Sequence, residues 1–528
     1  MIGLPHRWSR RDLLRRSAAL TLPAIFRGTD AAGAADGLRA GADVYQSIGV
    51  RPLINARGTF TIISGSLMLP EVRAAMDAAA QHHVHLDELM AAIGARLAEL
   101  TKAEFGMVSS GCAAALTHAT AACVAGGNPD LHVRIPNLAG FPRDEVIIPV
   151  HSRNVYDAAV RAVGVRVVEV GTLEELEAAF GPRTAMVYIL AGPEADKDPL
   201  STPAIARLAN QKRVPVLVDA AAEVLTIPNV HLAAGATLVA YSGGKCIRGP
   251  QSAGLLLGRK DLVRAAWVHS APHHGFSRSM KVGKEEAIGM LMAVETWVKR
   301  DHDAEWKRWM SWLEAISARV SRIDGVTTSI TETTALSNRT PSLTIGWDRT
   351  RIGISGADLA RHLLDTEPRI ATPGGRDRGT AASISITPYQ MASGEERIVA
   401  EKIYTALASA PRLTAAAAAA AAAAEVSGQW DVRIEYLASA STHTLHLRQT
   451  GNHLEGSHQG DFVARDLSGT IEGNAVQISS SYAERHGDAL SFRFTGTVAG
   501  DAMSGTLDMG EYLTATWTAR RHDYRRQA

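Results

Sequence analysis

The sequence predicts an α/β protein with a mainly parallel sheet and helices on both of its faces, followed by a C-terminal antiparallel β barrel or sandwich. Three observations support this prediction. Short apolar segments rich in β-branched residues alternate with helical segments between about residues 105 and 258. Polar residues stand where several of these apolar segments end. After an alanine run at 415–424, the pattern changes to short alternating segments separated by turn pairs such as Gly451-Asn452.

The composition is that of a globular protein. The chain has 528 residues, enough for about three domains of ~150 residues, and its hydrophobic and charged fractions are 46% and 21%. The formal net charge of +1 gives no sign of a basic face for nucleic acid, so no nucleic-acid partner is expected. No apolar run approaches the ~20 residues of a membrane span. The three cysteines are too scattered for a disulfide framework or a zinc site.

The first 35 residues have the organisation of an export signal. The paired Arg10 and Arg11 precede Leu13 and Leu14, and an apolar stretch then leads into alanine-rich sequence. This order resembles a twin-arginine signal, which a receptor reads as an address. It predicts export to the periplasm; the alternative is a basic leader that stays attached to the chain.

The large domain is expected to begin with an extended arm with short strands at 44–68 and a helix that starts at Pro70. Three histidines near this helix lack a matching carboxylate pattern, so we expect them on the surface or at the rim of a site and predict no metal site. They are His82, His83 and His85.

Strand, small-residue turn and helix follow one another at 105–124. Ser110, Gly111 and Cys112 form the turn, and the alanine-rich segment 113–124 is predicted as the helix. The amino terminus of a helix offers free N–H groups and the positive end of the helix dipole, which suit a phosphate. An ordinary serine-capped helix is the alternative.

The following strands place further polar residues at one edge of the predicted sheet. These strands are predicted at 145–150, 165–170, 184–190 and 214–219. His151 follows the first of them, and Asp219 ends the last. Ligands gather at the carboxyl ends of strands in parallel α/β sheets. We therefore expect Ser110, His151, Asp219 and Lys245 to lie along one edge.

The segment LVAYSGGKCIRGPQSAGLLL at 238–257 predicts two buried strands joined by a tight glycine-rich loop that contains Lys245. Burial disfavours the charged amine, which becomes a nucleophile able to form a Schiff base with a carbonyl compound such as pyridoxal phosphate. A surface lysine in a glycine hairpin is the alternative. Asp219 also has two interpretations, since a buried carboxylate needs a partner. It caps a helix at 220–224, or it forms a salt bridge with a protonated pyridine nitrogen.

Four segments carry a resemblance to a known family: INARGTFT at 54–61, MVSSGCAAAL at 107–116, VLVDAAAEV at 216–224 and AYSGGKCIRGPQSAGLLLGR at 240–259. They resemble the selenocysteine-synthase-like branch of the fold-type I pyridoxal phosphate enzymes, which also holds ammonia-lyases acting on D-glucosaminate 6-phosphate. The basic stretch at 277–298 resembles the segment before the domain-linking helix of this family. The resemblance runs from about residue 44 to residue 407.

The resemblance implies roles for individual residues. Lys245 would form the Schiff base, and Asp219 would pair with the pyridine nitrogen of pyridoxal phosphate. The phosphate would be held by Ser110, Gly111, Cys112 and Ser242. His151 would lie over the cofactor ring and Ala221 under it. Arg278 and Lys281 would reach the phosphate or the substrate, from a partner subunit if the enzyme is a homodimer or a higher homo-oligomer.

The sequence patterns described above divide the chain into five segments. The expected segments are an export signal at 1–35, an arm and cofactor-binding large domain at 40–300, a small α/β domain at 301–410, a linker at 411–427 and a small all-β domain at 428–522. Arg376 or Arg378 is the candidate for binding a substrate carboxylate, with a solvated turn as the alternative. Four tryptophans are expected in core or dimer packing: Trp297, Trp306, Trp309 and Trp312.

These features together predict a pyridoxal phosphate-dependent lyase or transferase for an amino acid or amino sugar acid. Its chemistry would be α-proton removal with β-elimination or ammonia release. Within enzymes, a seryl-tRNA selenium transferase or an aminotransferase is the alternative; the first fits poorly with export and near-zero net charge. A non-catalytic exported binding protein on the same fold is the alternative from another class.

Overall fold

The computed structural model describes residues 37–410, 421–484, 486–487 and 489–524. The predicted export signal and most of the alanine run lie outside the described residues. The arm holds 3₁₀ turns at Gln46–Ile48 and Thr61–Ile63 and the two-residue strand β1 (Ile54–Asn55). Strand β1 pairs in parallel with residues 370–371, so the arm joins the small domain to the large one.

The large domain is built on a seven-stranded sheet. Its strands are β2 (Phe105–Ser109), β3 (Glu145–Pro149), β4 (Arg166–Val170), β5 (Thr184–Leu190), β6 (Val216–Asp219), β7 (Leu238–Ser242) and β8 (Gly254–Gly258). The order is β2-β8-β7-β6-β5-β3-β4, and only β8 runs antiparallel to its neighbours. The central strands are buried along their whole length, as expected for a sheet covered on both faces.

Helices cover both faces of this sheet. They are α1 (Pro70–Ala80), α2 (Leu86–Thr101), α3 (Cys112–Ala125), α4 (Pro129–His132), α5 (Ala158–Arg161), α6 (Leu173–Ala179), α7 (Thr202–Gln211), α8 (Val230–Ala233), α9 (Lys260–Val268) and α10 (Lys284–Lys299). Further 3₁₀ turns lie at Val150–Ser152, Val155–Asp157 and Phe276–Ser279. The predicted start of α1 at Pro70 is confirmed. The helix considered at 220–224 does not form, because the chain turns there, and Asp219 accepts a hydrogen bond from the backbone N–H of Ala221.

The small domain is an antiparallel sheet packed against helices. It contains α11 (His302–Val320), β9 (Val326–Thr331), β10 (Ser342–Asp348), α12 (Gly356–Asp365), β11 (Ile370–Ala371), β12 (Arg376–Arg378), β13 (Ala381–Ile386) and α13 (Glu395–Ser409). The strand order is β12-β13-β10-β9, while β11 is the strand that pairs with β1. Ile54 and Ala56 of the arm belong to the core of this domain.

The C-terminal domain is a closed antiparallel barrel, which confirms the predicted class and decides between barrel and sandwich. Its strands are β14 (Gly428–Glu435), β15 (Ala440–Thr450), β16 (His453–Gln459), β17 (Ala464–Glu472), β18 (Ala475–Ala483), β19 (Ala489–Ala499), β20 (Ala502–Asp508) and β21 (Thr514–Arg521). A 3₁₀ turn, Gly510–Tyr512, precedes the last strand. Each strand pairs with the next, and β21 closes on β14. Trp430 and Trp517 fill its interior.

Within the described ranges, none of the helices combines the length and the apolarity that crossing a membrane requires.

Candidate functional site

Asp219 and Lys245 are brought together by two neighbouring strands. Strands β6 and β7 pair in parallel, with Asp219 opposite Ala240. Asp219 is the last residue of β6, and Lys245 follows the end of β7 by three residues. Because both strands end at the same edge of the sheet, the charge of Lys245 acts directly on the Asp219 carboxyl.

The loop that carries Lys245 is shaped by two glycines. A Cβ built on Gly243 would lie 2.7 Å from the carbonyl oxygen of Ala253, and one built on Gly244 would lie 2.7 Å from Cα of Gln251. These distances are shorter than real Cβ contacts, so a side chain at either position would displace the loop. The predicted glycine turn is therefore a packing requirement, and Lys245 is half-buried rather than on the open surface.

The Asp219 carboxylate is almost completely buried, at 2% exposure. The hydroxyl of Tyr188 donates to Oδ2 at 3.0 Å, and the backbone N–H of Ala221 donates to Oδ1 at 3.1 Å. Burial raises the pKa of Asp219, while these two donors and the charge of Lys245 lower it. The thiol of Cys112 lies 3.7 Å from Oδ1, and burial raises the pKa of that thiol.

The amino terminus of α3 lies beside this carboxylate. Gly111 has φ of +90°, in the region that favours glycine, and nothing lies within 4 Å of a Cβ built on it. On the other side, a Cβ on Gly254 would lie 2.4 Å from the carbonyl carbon of Gly111. The first N–H groups of a helix have no acceptor within it. Open space therefore faces the free amides that follow half-buried Ser110.

A cavity of about 580 Å³ reaches Lys245 from the small domain. The amine of Lys245 has no hydrogen bond or ion pair with a described residue. The cavity is lined by aromatic, polar and cationic side chains, including Thr59, Lys245, Arg248, Trp297, Arg300, Trp306, Lys307, Trp309, Glu332, Arg339, Tyr389 and Gln390. This volume lies within the range of roughly 300–1,000 Å³ that is typical of small-molecule sites.

Some of the cationic side chains that line the cavity have no carboxylate partner. Arg300 makes three hydrogen bonds to Glu305, at 3.2, 3.0 and 2.8 Å, and is therefore neutralised. Burial and the nearby charges of Arg300 and Arg308 lower the pKa of Arg248, whose Nε bonds only to the carbonyl of Leu67. Arg339 lies 6.0 Å from the ring centroid of Trp306 and forms no ion pair with a described carboxylate. This surplus of cations suits an anionic substrate group.

The N-terminal arm closes one side of the cavity. The hydroxyls of Thr59 and Tyr389 lie 2.8 Å apart, and the amide of Leu67 donates to Oε1 of Gln390 at 3.3 Å. The amide of Ser66 donates to the carbonyl of Gly244 at 3.0 Å. The arm thus binds both the loop that carries Lys245 and the small domain.

Three further residues predicted for the cofactor site lie near the edge of the sheet that carries Asp219 and Lys245. His151 follows β3, and its ring bonds to the carbonyl of Leu200 at 3.2 Å and to the hydroxyl of Ser152 at 3.1 Å. Ser242 ends β7 opposite Gly254. Ala221 holds Asp219 through its backbone.

Four residues that were predicted to contact the substrate lie outside the Lys245 cavity. Arg376 and Arg378 occupy the exposed edge strand β12 and line a separate groove with Gly325, so their contact with a substrate stays a prediction. The solvated turn considered as the alternative does not form at these two residues, because they pair with β13 as a strand. Arg278 and Lys281 are exposed and lie outside the Lys245 cavity.

The structure also adds residues that the sequence did not indicate. Tyr188 lies inside an apolar strand and gave no signal of its own. Trp297, Trp306 and Trp309 line the cavity. As expected, Trp297 and Trp312 also belong to the cores of the large and the small domain, and Trp309 packs against the second of these cores. No group of three or more metal-binding side chains with metal-site geometry is found in the part of the chain that is described.

The chain is similar to several known proteins. The family model for aminotransferase class-V matches residues 148–275. D-glucosaminate-6-phosphate ammonia lyase of Salmonella typhimurium is 30% identical over 68% of this chain and 94% of its own length. A 5'-C-glycyluridine monooxygenase-decarboxylase of Streptomyces is 32% identical over 64% of this chain and 80% of its own. A solved structure of D-glucosaminate-6-phosphate ammonia-lyase superposes with a TM-score of 0.61 and 27% identity, over 70% of this chain and 98% of that one.

Proposed function

Because the chain belongs to the aminotransferase class-V family of fold-type I pyridoxal phosphate enzymes, we propose that it is a lyase that releases ammonia from an acidic amino acid or amino sugar acid. The observation that carries the proposal is the unpaired amine of Lys245 beside the buried carboxylate of Asp219, in a cavity with surplus cationic side chains. The relative named for ammonia release from D-glucosaminate 6-phosphate supports the same reaction class.

The residues present fit pyridoxal phosphate. Open space at Gly111, in front of the first amides of α3, suits a phosphate. The buried carboxylate of Asp219 has hydrogen-bond donors but no directly bonded cation, and a protonated pyridine nitrogen would supply one. The amine of Lys245 is free for covalent attachment. Together, these three features provide a phosphate site, a counter-charge for the pyridine nitrogen and an amine for covalent attachment.

Each residue then has a physical task. When bound, the cofactor supplies an aldehyde for attachment and a ring that accepts electrons. Lys245 would hold it through Nζ, and the same nitrogen is placed to take the α proton of the substrate. Asp219 would pair with the pyridine nitrogen, since the donors Tyr188 and Ala221 favour its ionised form. The arm closes one side of the cavity, and Trp297, Trp306 and Trp309 line it, so both would limit the access of water.

The substrate class follows from the cavity charges. Arg339 and Arg248 are placed to bind a carboxylate or phosphate, since neither is neutralised by a described carboxylate. A screen of D- and L-amino acids, sugar acids bearing an amino group and their phosphates for ammonia release tests the proposal. Release from an acidic substrate, absent with its neutral amide or alcohol, is the expected result. Carbon dioxide release without ammonia would favour the chemistry named for the Streptomyces relative instead.

We propose that the enzyme is a homodimer in which Arg278 and Lys281 act on the partner's site. Both are exposed and outside the cavity of their own chain, which leaves them available to a second copy. Light scattering should give twice the chain mass, and R278M should weaken cofactor retention. A monomer with full retention of the cofactor would refute this.

We further propose export through the twin-arginine route, on the basis of Arg10 and Arg11. The double substitution R10K and R11K should leave the protein in the cytoplasmic fraction, whereas the wild type is recovered from the periplasm. Equal recovery of both from the cytoplasm would rule the route out.

A further inference from the structure

The interior of the C-terminal barrel holds a polar cluster that the chemistry above does not use. Inward-facing positions on successive strands contribute its members, which we call the barrel cluster: His443, His458, Arg465, Ser480 and Phe492, all at most 8% exposed. His458 is opposite Arg465 between β16 and β17, and Ser480 is opposite Phe492 between β18 and β19. These pairings place the cluster near one end of the barrel.

Arg465 is a buried cation without a partner. Nε and Nη1 of its guanidinium make no hydrogen bond, and no described carboxylate forms an ion pair with it. Its guanidinium carbon lies 4.6 Å from the ring centroid of Phe492. A guanidinium buried without a counter-charge is unfavourable. An anion bound at this position would therefore be stabilising.

The histidines of the cluster already have partners. Nδ1 of His443 lies 2.8 Å from Nε2 of His458, and Nδ1 of His458 lies 2.7 Å from the hydroxyl of Ser480. Nε2 of His443 faces the Asp461 carboxylate, 3.7 Å away, which favours a proton on that nitrogen. The donors of the cluster that lack an acceptor are therefore those of Arg465.

An apolar cavity opens at the same end of the barrel. Its volume is about 350 Å³, and Tyr436, Leu490, Phe492 and Met509 are among its walls. Phe492 is shared, since one wall of the cavity is the ring against which Arg465 lies. The apolar cavity and the cationic cluster therefore adjoin at Phe492.

We propose that the barrel binds a small organic acid, whose carboxylate pairs with Arg465 and whose aryl or alkyl body fills the cavity beside Tyr436 and Phe492. An acid satisfies the unpaired donors, and an apolar body matches the walls. The inference is independent of the reaction at Lys245.

The test is calorimetric titration of the full-length, cofactor-loaded protein with 2-naphthoate, phenylacetate and decanoate, and with neutral 2-naphthalenemethanol. At least one acid should bind the wild type, and R465M should bind it at least tenfold more weakly. The neutral analogue of the aryl acid should also bind at least tenfold more weakly than the acid. R448M is the matched control, because Arg448 points outward from the barrel and pairs with Glu455. Because R465M keeps the Lys245 cavity, the difference reports the barrel alone.

The melting temperature separates binding from folding. Removing an unpaired buried charge should leave the melting temperature of R465M unchanged or raise it. A lower melting temperature would make Arg465 a structural residue and overturn the proposal. Failure of all three acids to bind the wild type, or R465M binding within twofold of it, would overturn it too.

Discussion

The hydroxyl of Tyr188 donates to Oδ2 of Asp219 over 3.0 Å, and both side chains are buried. Asn154 donates to the oxygen of the same hydroxyl at 3.1 Å, which directs the hydroxyl proton toward the carboxylate. A tyrosine on β5 thus orients the carboxylate at the end of β6. This bond helps keep Asp219 ionised against the unfavourable free energy of burial.

Tyr188→Phe should weaken cofactor retention on the order of tenfold. Hydrogen bonds to charged groups are worth roughly 1.5–3 kcal/mol, and this one supports the charged form of Asp219. Equilibrium dialysis with visible absorption measures the change. Tyr241→Phe is the control, since Tyr241 bonds Asn229 rather than Asp219. Equal losses in both variants would mean that the effect is general packing.

Asp219→Asn should separate cofactor binding from stability. Burial raises the pKa of Asp219 in the folded protein above its value in the unfolded chain. At a pH above the unfolded-chain value, the ionised carboxylate therefore lowers the stability of the fold, and this loss is relieved as the pH falls. The apoprotein of D219N should therefore melt at the same or a higher temperature than the wild type at pH 7, while cofactor retention falls at least tenfold. Retention equal to the wild type would remove Asp219 from the cofactor site.

Arg339→Met should raise KM for an acidic substrate about tenfold or more, with a smaller effect on kcat, because the lost contact binds a non-reacting group. Arg376→Met should change neither parameter more than twofold, since Arg376 lies on the exposed strand β12. The reverse pattern would return the carboxylate to Arg376, supplied from a partner chain.

The sequence predicted those parts of the site that depend on local order along the chain. Asp219 and Lys245 each follow a short apolar strand, and parallel strands bring their ends to one edge whatever the rest of the fold does. Tyr188 could not be predicted, because its bond to Asp219 depends on the pairing of β5 with β6. The position of Arg376 on an edge strand could not be predicted for a similar reason, since it depends on the pairing of Arg376 with Ser383.

His118→Leu should make the protein less sensitive to acid. Both ring nitrogens of His118 are buried without partners, and burial lowers its pKa to about 4 from 6.5. Above pH 6.5 the ring is neutral in both the folded and the unfolded chain. As the pH falls from 6.5 toward 4, only the unfolded chain takes up the proton, so the free energy of unfolding falls by about 1.4 kcal/mol per pH unit, or roughly 3 kcal/mol in all.

The measurement is the melting temperature of H118L and the wild type at pH 7.5, 6 and 5. The gap in favour of H118L should widen as the pH falls. His82→Leu, at an exposed position, serves as the control and should follow the wild type. A gap that stays constant with pH would show that His118 does not titrate as buried.

The most direct test of the whole account is the visible absorption of the purified protein after incubation with pyridoxal phosphate and exhaustive dialysis. The wild type and the surface variant Lys260→Ala should keep an absorption band near the edge of the visible range, and Lys245→Ala should lack this band. A band of equal strength in Lys245→Ala, or none in the wild type, would contradict attachment of the cofactor at Lys245.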